Sequence, residues 1–290
     1  MLNEANESEQ KVNQQSKFKR YGNWALVTGA SSGIGLEFAR QLASHGMNLV
    51  LVARRGDVLA ALAQELTREF SVEAKFISRD LAGEGAVEKL FQDLSGIEIG
   101  LVVMSAGMET TGHFTKVSLD RHIQLERLNI DVPMRMARLF GEAMVTRRRG
   151  ALIFVSSVFG YQGVPILANY AASKAYILSL GEALNVEMKP HGVDVLVLSP
   201  GLTDTDMPAQ MPINFGKMPI TTSSPKAVVR IALRALGKKA TVVPGLINKF
   251  YAWENRLIPR GYPVKLFGFL IKNAFDKTRR DELLHENTRR

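Results

Sequence analysis

Short runs of apolar residues alternate along this chain with longer segments in which apolar residues recur every three or four positions. The apolar runs cover residues 24–28, 47–53, 75–78, 100–104, 151–155, 193–199 and 240–244. The segments with helical spacing cover residues 36–43, 58–70, 85–94, 118–149, 170–190 and 226–236. Short apolar runs predict buried strands, and the periodic segments predict amphipathic helices. Because parallel strands need crossovers long enough for a helix, the alternation predicts a parallel sheet with helices on both faces.

Small and polar residues follow most of the predicted strands. Ligands of such sheets bind beyond the carboxyl ends of the strands. We therefore expect one binding site along that edge, and six of its candidate residues are Gly29, Arg54, Asp80, Gly107, Ser157 and Gly201.

The turn after the first strand has the pattern of a phosphate site. Residues 29–35 read Gly-Ala-Ser-Ser-Gly-Ile-Gly and lead directly into a helical segment. Gly29 permits a tight turn, and the later glycines allow a pyrophosphate and the sheet to approach the backbone. The helix directs its free N–H groups and positive dipole end at the phosphates. An ordinary glycine-rich turn is the alternative, since the spacing differs from the commoner G-x-G-x-x-G.

The residues after the second strand favour NADP(H) over NAD(H). An acidic residue there would hold the ribose hydroxyls of NAD, whereas an arginine would accept the 2′-phosphate of NADP. Arg54 and Arg55 follow the strand, and no carboxylate precedes Asp57. A guanidinium binds a phosphate through two parallel hydrogen bonds. Two unrelated surface arginines are the alternative. Asp80, after the third strand, is predicted to meet the adenine or else to cap the next helix.

Three further features indicate chemistry near this edge. Tyr170 and Lys174 lie four residues apart on a predicted helix and therefore share one face. Asn129 is a polar amide among apolar helical neighbours, which suggests a hydrogen-bonding role, although such residues are more often structural. The irregular stretch 202–224 is long enough for a lid, and its methionines suit an adaptable apolar pocket.

Composition narrows the function further. The 290 residues contain no cysteine, which excludes disulfides, thiolate metal sites and cysteine nucleophiles and fits a reducing compartment such as the cytoplasm. The net charge is +9, but no aromatic-rich nucleic-acid module is recognisable. Residues 1–20 lack the apolar run of a signal peptide and are interpreted as a flexible leader.

Taken together, these motifs resemble the short-chain dehydrogenase/reductase family. Residues 28–35 match its cofactor turn, and Ser157 with Tyr170-x-x-x-Lys174 matches its catalytic set. The resemblance implies that Asn129 belongs to that set and anchors a water relay from Lys174 to solvent. It implies no metal. It also implies a cofactor site that is formed by Gly29, Ser31, Ser32, Gly33, Ile34, Gly35, Arg54, Arg55, Asp80, Leu81, Ala106, Gly107, Tyr170, Lys174, Pro200, Gly201, Thr203 and Thr205. One departure is Ser105, which stands where the family usually carries asparagine and leaves open how the fourth strand is tied to its neighbours.

The residue types suit the reduction of a carbonyl group. The cofactor supplies the hydride, and the protein supplies position and electrostatics. A free tyrosine has a pKa of about 10, and we expect the Lys174 ammonium to favour the phenolate and lower that pKa. Ser157 would hydrogen-bond the carbonyl oxygen, and Lys174 would also bind the cofactor ribose. Tyr170 is then the general acid and base.

Residues 246–290 form a basic, aromatic-rich extension beyond the family core. Packing on the substrate cleft or on another subunit is one interpretation, and peripheral contact with an anionic membrane is another. Apolar tails in similar reductases suggest an apolar or lipid-like substrate. The resemblance also suggests a homodimer or homotetramer built on the helices around Asn129 and Lys174.

The sequence therefore predicts an α/β fold, a Rossmann-like doubly wound parallel sheet in a single domain at 21–245, with a C-terminal extension. The predicted activity is an NADP-dependent oxidoreductase that interconverts a carbonyl and an alcohol on a small-molecule substrate. A dinucleotide-binding sensor or scaffold without turnover is the alternative. A sugar-nucleotide epimerase or dehydratase is a third, for which the chain leaves little room for a substrate domain.

Overall fold

The computed structural model describes residues 17–254 and 257–274. Seven parallel strands form one sheet in the order β3-β2-β1-β4-β5-β6-β7. The strands are β1 (Trp24–Thr28), β2 (Asn48–Ala53), β3 (Ala74–Ser78), β4 (Ile99–Met104), β5 (Gly150–Val155), β6 (Val193–Leu198) and β7 (Thr241–Val242). The predicted doubly wound parallel sheet is confirmed, and the strand order reverses between β1 and β4, where such sheets bind nucleotides.

Helices cover both faces of this sheet. They are α1 (Gly33–Ser44), α2 (Gly56–Phe70), α3 (Ala86–Asp93), α4 (Leu119–Glu126), α5 (Val132–Thr146), α6 (Ala168–Met188), α7 (Asp206–Gln210), α8 (Pro225–Ala235), α9 (Leu246–Glu254) and α10 (Gly261–Ala274). One apolar core packs α1, α2 and α8 on one face, and a second packs α3, α5 and α6 on the other.

Alternation within each central strand produces the two cores. In β1 the side chains of Ala25 and Val27 enter the first core, and Leu26 enters the second. Successive side chains of a strand point to opposite faces, so a strand buried on both sides is apolar throughout. This is why the strands appear in the sequence as continuous apolar runs.

The long helical region predicted over 118–149 is two helices joined by a π-helical turn. Arg127–Asp131 forms this turn between α4 and α5. Such turns are rare and occur often at functional sites. Helical periodicity does not distinguish a π turn from a regular one, so the sequence predicted a single helix.

The predicted flexible leader 1–20 lies largely outside the described residues. Its last four residues, however, pack on the domain. Phe18 is buried and its ring lies 5.1 Å from that of His45. Lys17 Nζ donates to Leu233 O at 3.1 Å, and Arg20 pairs with Asp194. The packed part of the chain therefore begins earlier than residue 21.

The connection before α6 contains an unusual backbone conformation. Ile166 has a φ of 72°, in the left-handed region that β-branched residues rarely enter. Its carbonyl accepts a hydrogen bond of 2.9 Å from the N–H of Gly112. This bond joins the loop after β4 to the start of α6.

The described part of the extension folds over the carboxyl edge of the sheet. Tyr251 on α9 and Phe267 on α10 pack with Met211, Ile213 and Met218 of the stretch 202–224 in a third apolar cluster. Tyr251 Oη donates to Pro219 O at 3.1 Å. The two helices thus cover this edge and hold the 202–224 segment against it.

Candidate active site

The glycine turn leaves an open cradle between β1 and β4. Gly29 has a φ of 67°, and a side chain there would place Cβ 2.9 Å from Ala106 N. At Gly35 a Cβ would lie 2.3 Å from Gly29 O. Both contacts are shorter than side chains tolerate, so the close approach of turn, helix and β4 requires glycine at these positions.

The start of α1 is suited to an anion. Ser32 is the N-cap residue, and its side chain makes no capping hydrogen bond. No acidic residue lies in the first turn. Arg55 Nη2 donates to the backbone oxygen of Ser31 at 3.1 Å and to its hydroxyl at 3.0 Å. Free N–H groups, a free hydroxyl and a guanidinium therefore surround the turn, and this donor set fits the phosphates of a dinucleotide.

Thr28 ties β1 to the end of β4. Its hydroxyl donates to Val103 O at 3.3 Å and accepts from the N–H groups of Ser105 and Ala106, both at 3.1 Å. These bonds hold the residues beside the cradle without the asparagine that the family usually carries at position 105. The sequence analysis did not assign this role to Thr28, although a threonine that ends a strand before a glycine turn is a visible signal.

The segment after β6 reaches back to the glycine turn. A Cβ on Gly33 would lie 3.0 Å from Thr205 Cγ2, so the two residues are in contact. Thr203 is buried and donates to Gly201 O at 3.1 Å. Pro200 O accepts from Val158 N at 3.0 Å. The structure therefore brings residues 200–205 between the glycine turn and the turn that follows Ser157.

The extension supports this segment through Asn248. This side chain is buried, and its amide donates to Pro244 O at 2.7 Å. A Cβ on Gly201 would lie 2.3 Å from Asn248 Oδ1, so only glycine fits against the amide. The sequence analysis did not single out Asn248, because its contact with Gly201 spans two predicted units.

Ser157, Tyr170 and Lys174 meet on one side of the same edge. Ser157 follows β5, and its side chain lies close enough to the Tyr170 phenol to influence the pKa of that group. Lys174 Nζ lies 5.6 Å from the centre of the Tyr170 ring and donates to Val155 O at 2.9 Å. Both Tyr170 and Lys174 are on α6, one turn apart. The predicted grouping of the three side chains is present in the structure.

The backbone of Lys174 is itself fixed. Its carbonyl accepts a 2.7 Å hydrogen bond from Ser156 Oγ. A Cβ on Gly160 would lie 2.7 Å from the same carbonyl oxygen, so the turn after β5 packs directly on α6. The position of the amine is therefore determined by β5 and its following turn as well as by its own helix.

Burial sets the protonation of this group. Burial raises the pKa of Tyr170 to about 12. The nearby Ser157 side chain lowers this pKa, and the negative charge of Glu109 raises it further. Burial lowers the pKa of Lys174 to about 8. The expectation that Lys174 lowers the pKa of Tyr170 is thus wrong for the protein alone. Removal of both groups from water disfavours the phenolate and the ammonium alike.

Asn129 lies in the π-helical turn and is buried. Its Oδ1 accepts from Met108 N at 2.9 Å, and its Nδ2 donates to Met108 O at 2.8 Å and Ser173 Oγ at 3.1 Å. The side chain therefore joins the loop after β4 to α6. A Cβ on Gly107 would lie 3.3 Å from Asn129 Oδ1 and 3.6 Å from Lys174 Nζ, so the backbone of Gly107 lies close to both side chains. The water relay from Lys174 stays a prediction.

Three other predicted cofactor residues lie at the far side of the cradle. Arg54 is exposed, and Leu81 is buried in the second core. Asp80 is exposed, and its Oδ1 accepts from Ala82 N at 3.0 Å. This bond closes a turn in the loop before α3, whose N-cap residue is Gly85, so Asp80 does not cap that helix as the alternative interpretation expected. Contacts of these residues with a cofactor stay predictions.

A cleft opens beside Tyr170 and Ser157 and is largely apolar. Its apolar lining includes Phe159, Met207, Met211, Phe215, Tyr251 and Phe267. Glu109 contributes a carboxyl group to this lining. Thr111 Oγ1 donates to Glu109 Oε2, and burial raises the pKa of the acid. The sequence analysis missed Glu109, because nothing in its local pattern distinguishes it from a surface acid.

The described residues contain neither a cluster of metal ligands nor a membrane-spanning helix. Within 17–254 and 257–274, no three histidine, aspartate or glutamate side chains are grouped so that they could hold a metal ion. Over the same ranges, no helix combines the length and apolarity needed to cross a bilayer.

Comparison with known proteins identifies the family. The model of the short chain dehydrogenase family matches residues 23–214, well over half of the chain. The chain belongs to this family. It is therefore an oxidoreductase that binds a nicotinamide cofactor and acts on a hydroxyl or keto group. The seven-stranded sheet is the fold that the resemblance implied.

Individual relatives in the short-chain dehydrogenase family cover most of the chain. The very-long-chain 3-oxoacyl-CoA reductase of Mus musculus is 30% identical over 268 residues, which are 90% of this chain and 84% of the relative. A solved 7beta-hydroxysteroid dehydrogenase superposes with a TM-score of 0.80 at 29% identity, over 86% of this chain and 98% of that one. A short-chain dehydrogenase from Sphingobium yanoikuyae, solved with NADPH, has a TM-score of 0.73 at 29% identity. The match covers 81% of this chain and 93% of that one.

The buried amine generates a stability prediction. The pKa of Lys174 is about 8 in the folded protein and 10.5 in the unfolded protein. The buried ammonium therefore destabilises the fold to its full extent below pH 8. This loss of stability disappears as the pH rises towards 10.5, where the amine is neutral in both states. Lys174→Met is therefore expected to raise the unfolding free energy of the cofactor-free protein at pH 7 by about 1–3 kcal/mol. Denaturant unfolding at pH 7 and at higher pH measures this gain, which should shrink with rising pH.

The matched control is Lys226→Met, because Lys226 is an exposed lysine on α8. Its substitution should change the unfolding free energy by less than about 0.5 kcal/mol. Equal effects of the two substitutions, or a gain at Lys174 that does not depend on pH, would contradict a destabilising buried charge.

Proposed function

We propose that this short-chain dehydrogenase interconverts an apolar ketone or aldehyde and its alcohol with NADP(H), and that Tyr170 is the general acid and base. One observation carries the proposal: Ser157 and Tyr170 line the same largely apolar cleft, and the amine of the buried Lys174 lies 5.6 Å from the centre of the Tyr170 ring. A sensor without turnover would not require this complete set.

The chemistry divides between protein and cofactor. The nicotinamide, when bound, supplies or accepts the hydride. Tyr170 carries the proton: with a pKa near 12 in the protein alone, the phenol is protonated at neutral pH and ready to donate to a carbonyl oxygen. Ser157 offers a second hydrogen bond to that oxygen as negative charge develops there. Lys174, fixed by Val155 O, directs its positive charge at the phenol and is placed to hold the ribose.

A preference for NADP is supported by the basic side chains beside the glycine turn. Arg55 already contacts Ser31, and Arg54 is exposed next to it. Neither position offers a carboxylate for the ribose hydroxyls of NAD. The neighbouring Sphingobium structure was solved with NADPH. These observations favour a 2′-phosphate bound by guanidinium groups.

An apolar substrate is supported by the lining of the cleft. Aromatic and methionine side chains from the 202–224 segment, α9 and α10 line it beside Tyr170. The similar proteins named above are a hydroxysteroid dehydrogenase and a very-long-chain acyl reductase. We therefore propose a sterol-like or long-chain carbonyl compound as the substrate class.

Glu109 refines this substrate class. It shares the cleft with Tyr170, and its charge is close enough to raise the pKa of the phenol. Thr111 holds one of its carboxylate oxygens, and the structure gives the other no hydrogen-bond partner among the described residues. A carboxyl group in this place accepts a hydrogen bond from an uncharged hydroxyl group and repels an anion. The preferred substrates are accordingly uncharged near the reacting carbon.

Assembly into a homodimer or homotetramer is part of the proposal. The helices α4, α5 and α6 expose apolar side chains, namely Leu119, Ile123, Met134, Tyr176 and Val186. Isologous packing of such helices would bury them.

The role of Tyr170 can be tested by Tyr170→Phe. Without the hydroxyl group no proton reaches the carbonyl oxygen, so turnover should fall by at least about a thousandfold. NADPH binding, followed by fluorescence titration, should stay within about threefold of the wild-type value, since the phenyl ring is kept. Retention of turnover would refute the proposal, and intact binding by a wild-type protein that reduces no carbonyl compound would favour the sensor instead.

The NADP preference can be tested by Arg54→Ala and Arg55→Ala. Loss of a guanidinium–phosphate contact should raise the Kd for NADPH by about tenfold to a hundredfold. The Kd for NADH should change by less than about threefold, because NADH lacks the 2′-phosphate. Equal weakening of both cofactors by both variants would contradict a 2′-phosphate site, and Arg68→Ala on α2 serves as a control with the same charge change.

The role of Glu109 can be tested by Glu109→Gln. Removal of the negative charge should raise kcat/KM for ketones that carry a carboxylate by about fivefold to tenfold, or about 1 kcal/mol. It should also move the alkaline rise of alcohol oxidation to lower pH, because the phenolate of Tyr170 is then less disfavoured. The exposed Glu84→Gln is the control with the same charge change. If Glu109→Gln changes neither the kcat/KM for ketones that carry a carboxylate nor the pH profile of alcohol oxidation, Glu109 does not select the substrate.

A further inference from the structure

The exposed apolar side chains of this protein are concentrated on α9, α10 and the residues between them. Sixteen large apolar side chains are exposed among the described residues, and nine of them lie between 246 and 269. Phe250, Trp253 and Phe269 are each more than half exposed. We call this the α9–α10 surface; its apolar members are Leu246, Ile247, Phe250, Trp253, Leu257, Ile258, Tyr262, Leu266 and Phe269.

The charges on the same surface are of one sign. Among the described residues of the α9–α10 surface, the exposed charged side chains are those of Lys249, Arg260, Lys265 and Lys272. None of these four forms a salt bridge with a described residue. Glu254 is buried, and no acidic side chain is exposed among the described residues 246–254 and 257–274. The α9–α10 surface therefore combines aromatic and aliphatic groups with positive charge that no described acidic residue neutralises.

This combination favours a lipid surface over a second protein. Protein interfaces are depleted of lysine, and the core of an interface excludes charge. Helices that lie in the surface of a membrane combine Trp, Phe and Leu with Lys and Arg, and the basic groups are attracted to anionic lipid. A subunit interface also has another place, on the apolar surface of α4–α6, so the α9–α10 surface is not required for assembly.

The α9–α10 surface is continuous with the substrate cleft. Tyr251 lies between Phe250 and Ala252 on α9, and Phe267 lies between Leu266 and Gly268 on α10. Tyr251 and Phe267 line the cleft, while Phe250, Leu266 and Phe269 face outward. One pair of helices thus forms both the outer apolar surface and the inner wall of the cleft.

We propose that the α9–α10 surface docks the protein on an anionic lipid bilayer and opens the substrate cleft towards it. Phe250, Trp253 and Phe269 enter the apolar boundary of the bilayer, and the four basic residues lie at the level of the headgroups. An apolar carbonyl compound that is dissolved in the bilayer then reaches Tyr170 without crossing water. Only this delivery step rests on the proposed function; the docking does not.

Docking is tested by sedimentation of the full chain with phosphatidylcholine vesicles that contain about 30% phosphatidylserine, and with pure phosphatidylcholine vesicles. The wild-type protein should bind the anionic vesicles at least about tenfold more tightly, and about 0.5 M NaCl should weaken this binding. Absence of binding to anionic vesicles, or equal binding to both, overturns the proposal.

Two variants separate the apolar and charged contributions. The double variant Trp253→Glu with Phe269→Glu, and the double variant Lys249→Glu with Lys265→Glu, should each reduce vesicle binding by at least about tenfold. The controls are Phe76→Glu, an exposed phenylalanine on β3, and Lys226→Glu on α8. Vesicle binding that survives in both double variants, or that falls equally in both controls, would show that the α9–α10 surface is not the membrane contact and would overturn the proposal.

Two further readouts exclude misfolding and subunit association. The double variants should retain the wild-type melting temperature and the wild-type turnover of a water-soluble ketone, and lose turnover only of a long-chain ketone presented in vesicles. Sedimentation velocity should give an unchanged molecular mass. A smaller mass would show that a second copy of this chain covers the α9–α10 surface and would refute docking on a membrane.

A wild-type protein that binds vesicles but reduces no ketone would refute the proposed function and leave the docking proposal intact.

Discussion

The candidate active site depends on holding the Lys174 amine out of water beside Tyr170. Burial disfavours an ammonium, so this position costs stability in the absence of ligand. The surrounding structure fixes the amine through Val155 O and fixes its backbone through Ser156 and the close approach of Gly160. The amine, the phenol and the serine are thereby positioned before any ligand arrives, which is the condition for electrostatic catalysis.

The C-terminal extension forms part of this site. Asn248 packs on Gly201, and Tyr251 and Phe267 close the cleft together with the 202–224 segment. A family match that ends at residue 214 does not reach these contacts. The family core therefore accounts for the chemistry, while the residues beyond it form much of the wall that a substrate meets.

Sequence patterns predicted what is local or repeated. The strands, the glycine turn and the i, i+4 pair of Tyr170 and Lys174 follow from apolar runs, glycine spacing and helical geometry, and the structure confirms the sheet that they imply. The contact of Asn248 with Gly201, and the placement of Glu109 in the cleft, join segments that are distant in the chain. No local pattern encodes such contacts.

The direction of the Tyr170 pKa shift could not be predicted for a related reason. From the sequence only the charge of Lys174 is visible, and that charge alone would lower the pKa. The burial that prevails arises from the packing of helices and loops over the site. Similarly, Asn129 lies in the π-helical turn between α4 and α5 and bonds to Met108 and Ser173, and periodicity reveals neither the turn nor these bonds.

The left-handed backbone at Ile166 has a mechanical consequence. Such a conformation costs a β-branched residue on the order of 1–3 kcal/mol, and the bond from Gly112 to its carbonyl helps to offset that cost. The bond links the loop that carries Glu109 to the helix that carries Tyr170. A displacement of either segment would have to break this bond or move the other segment with it, so the bond couples the positions of the two walls of the cleft.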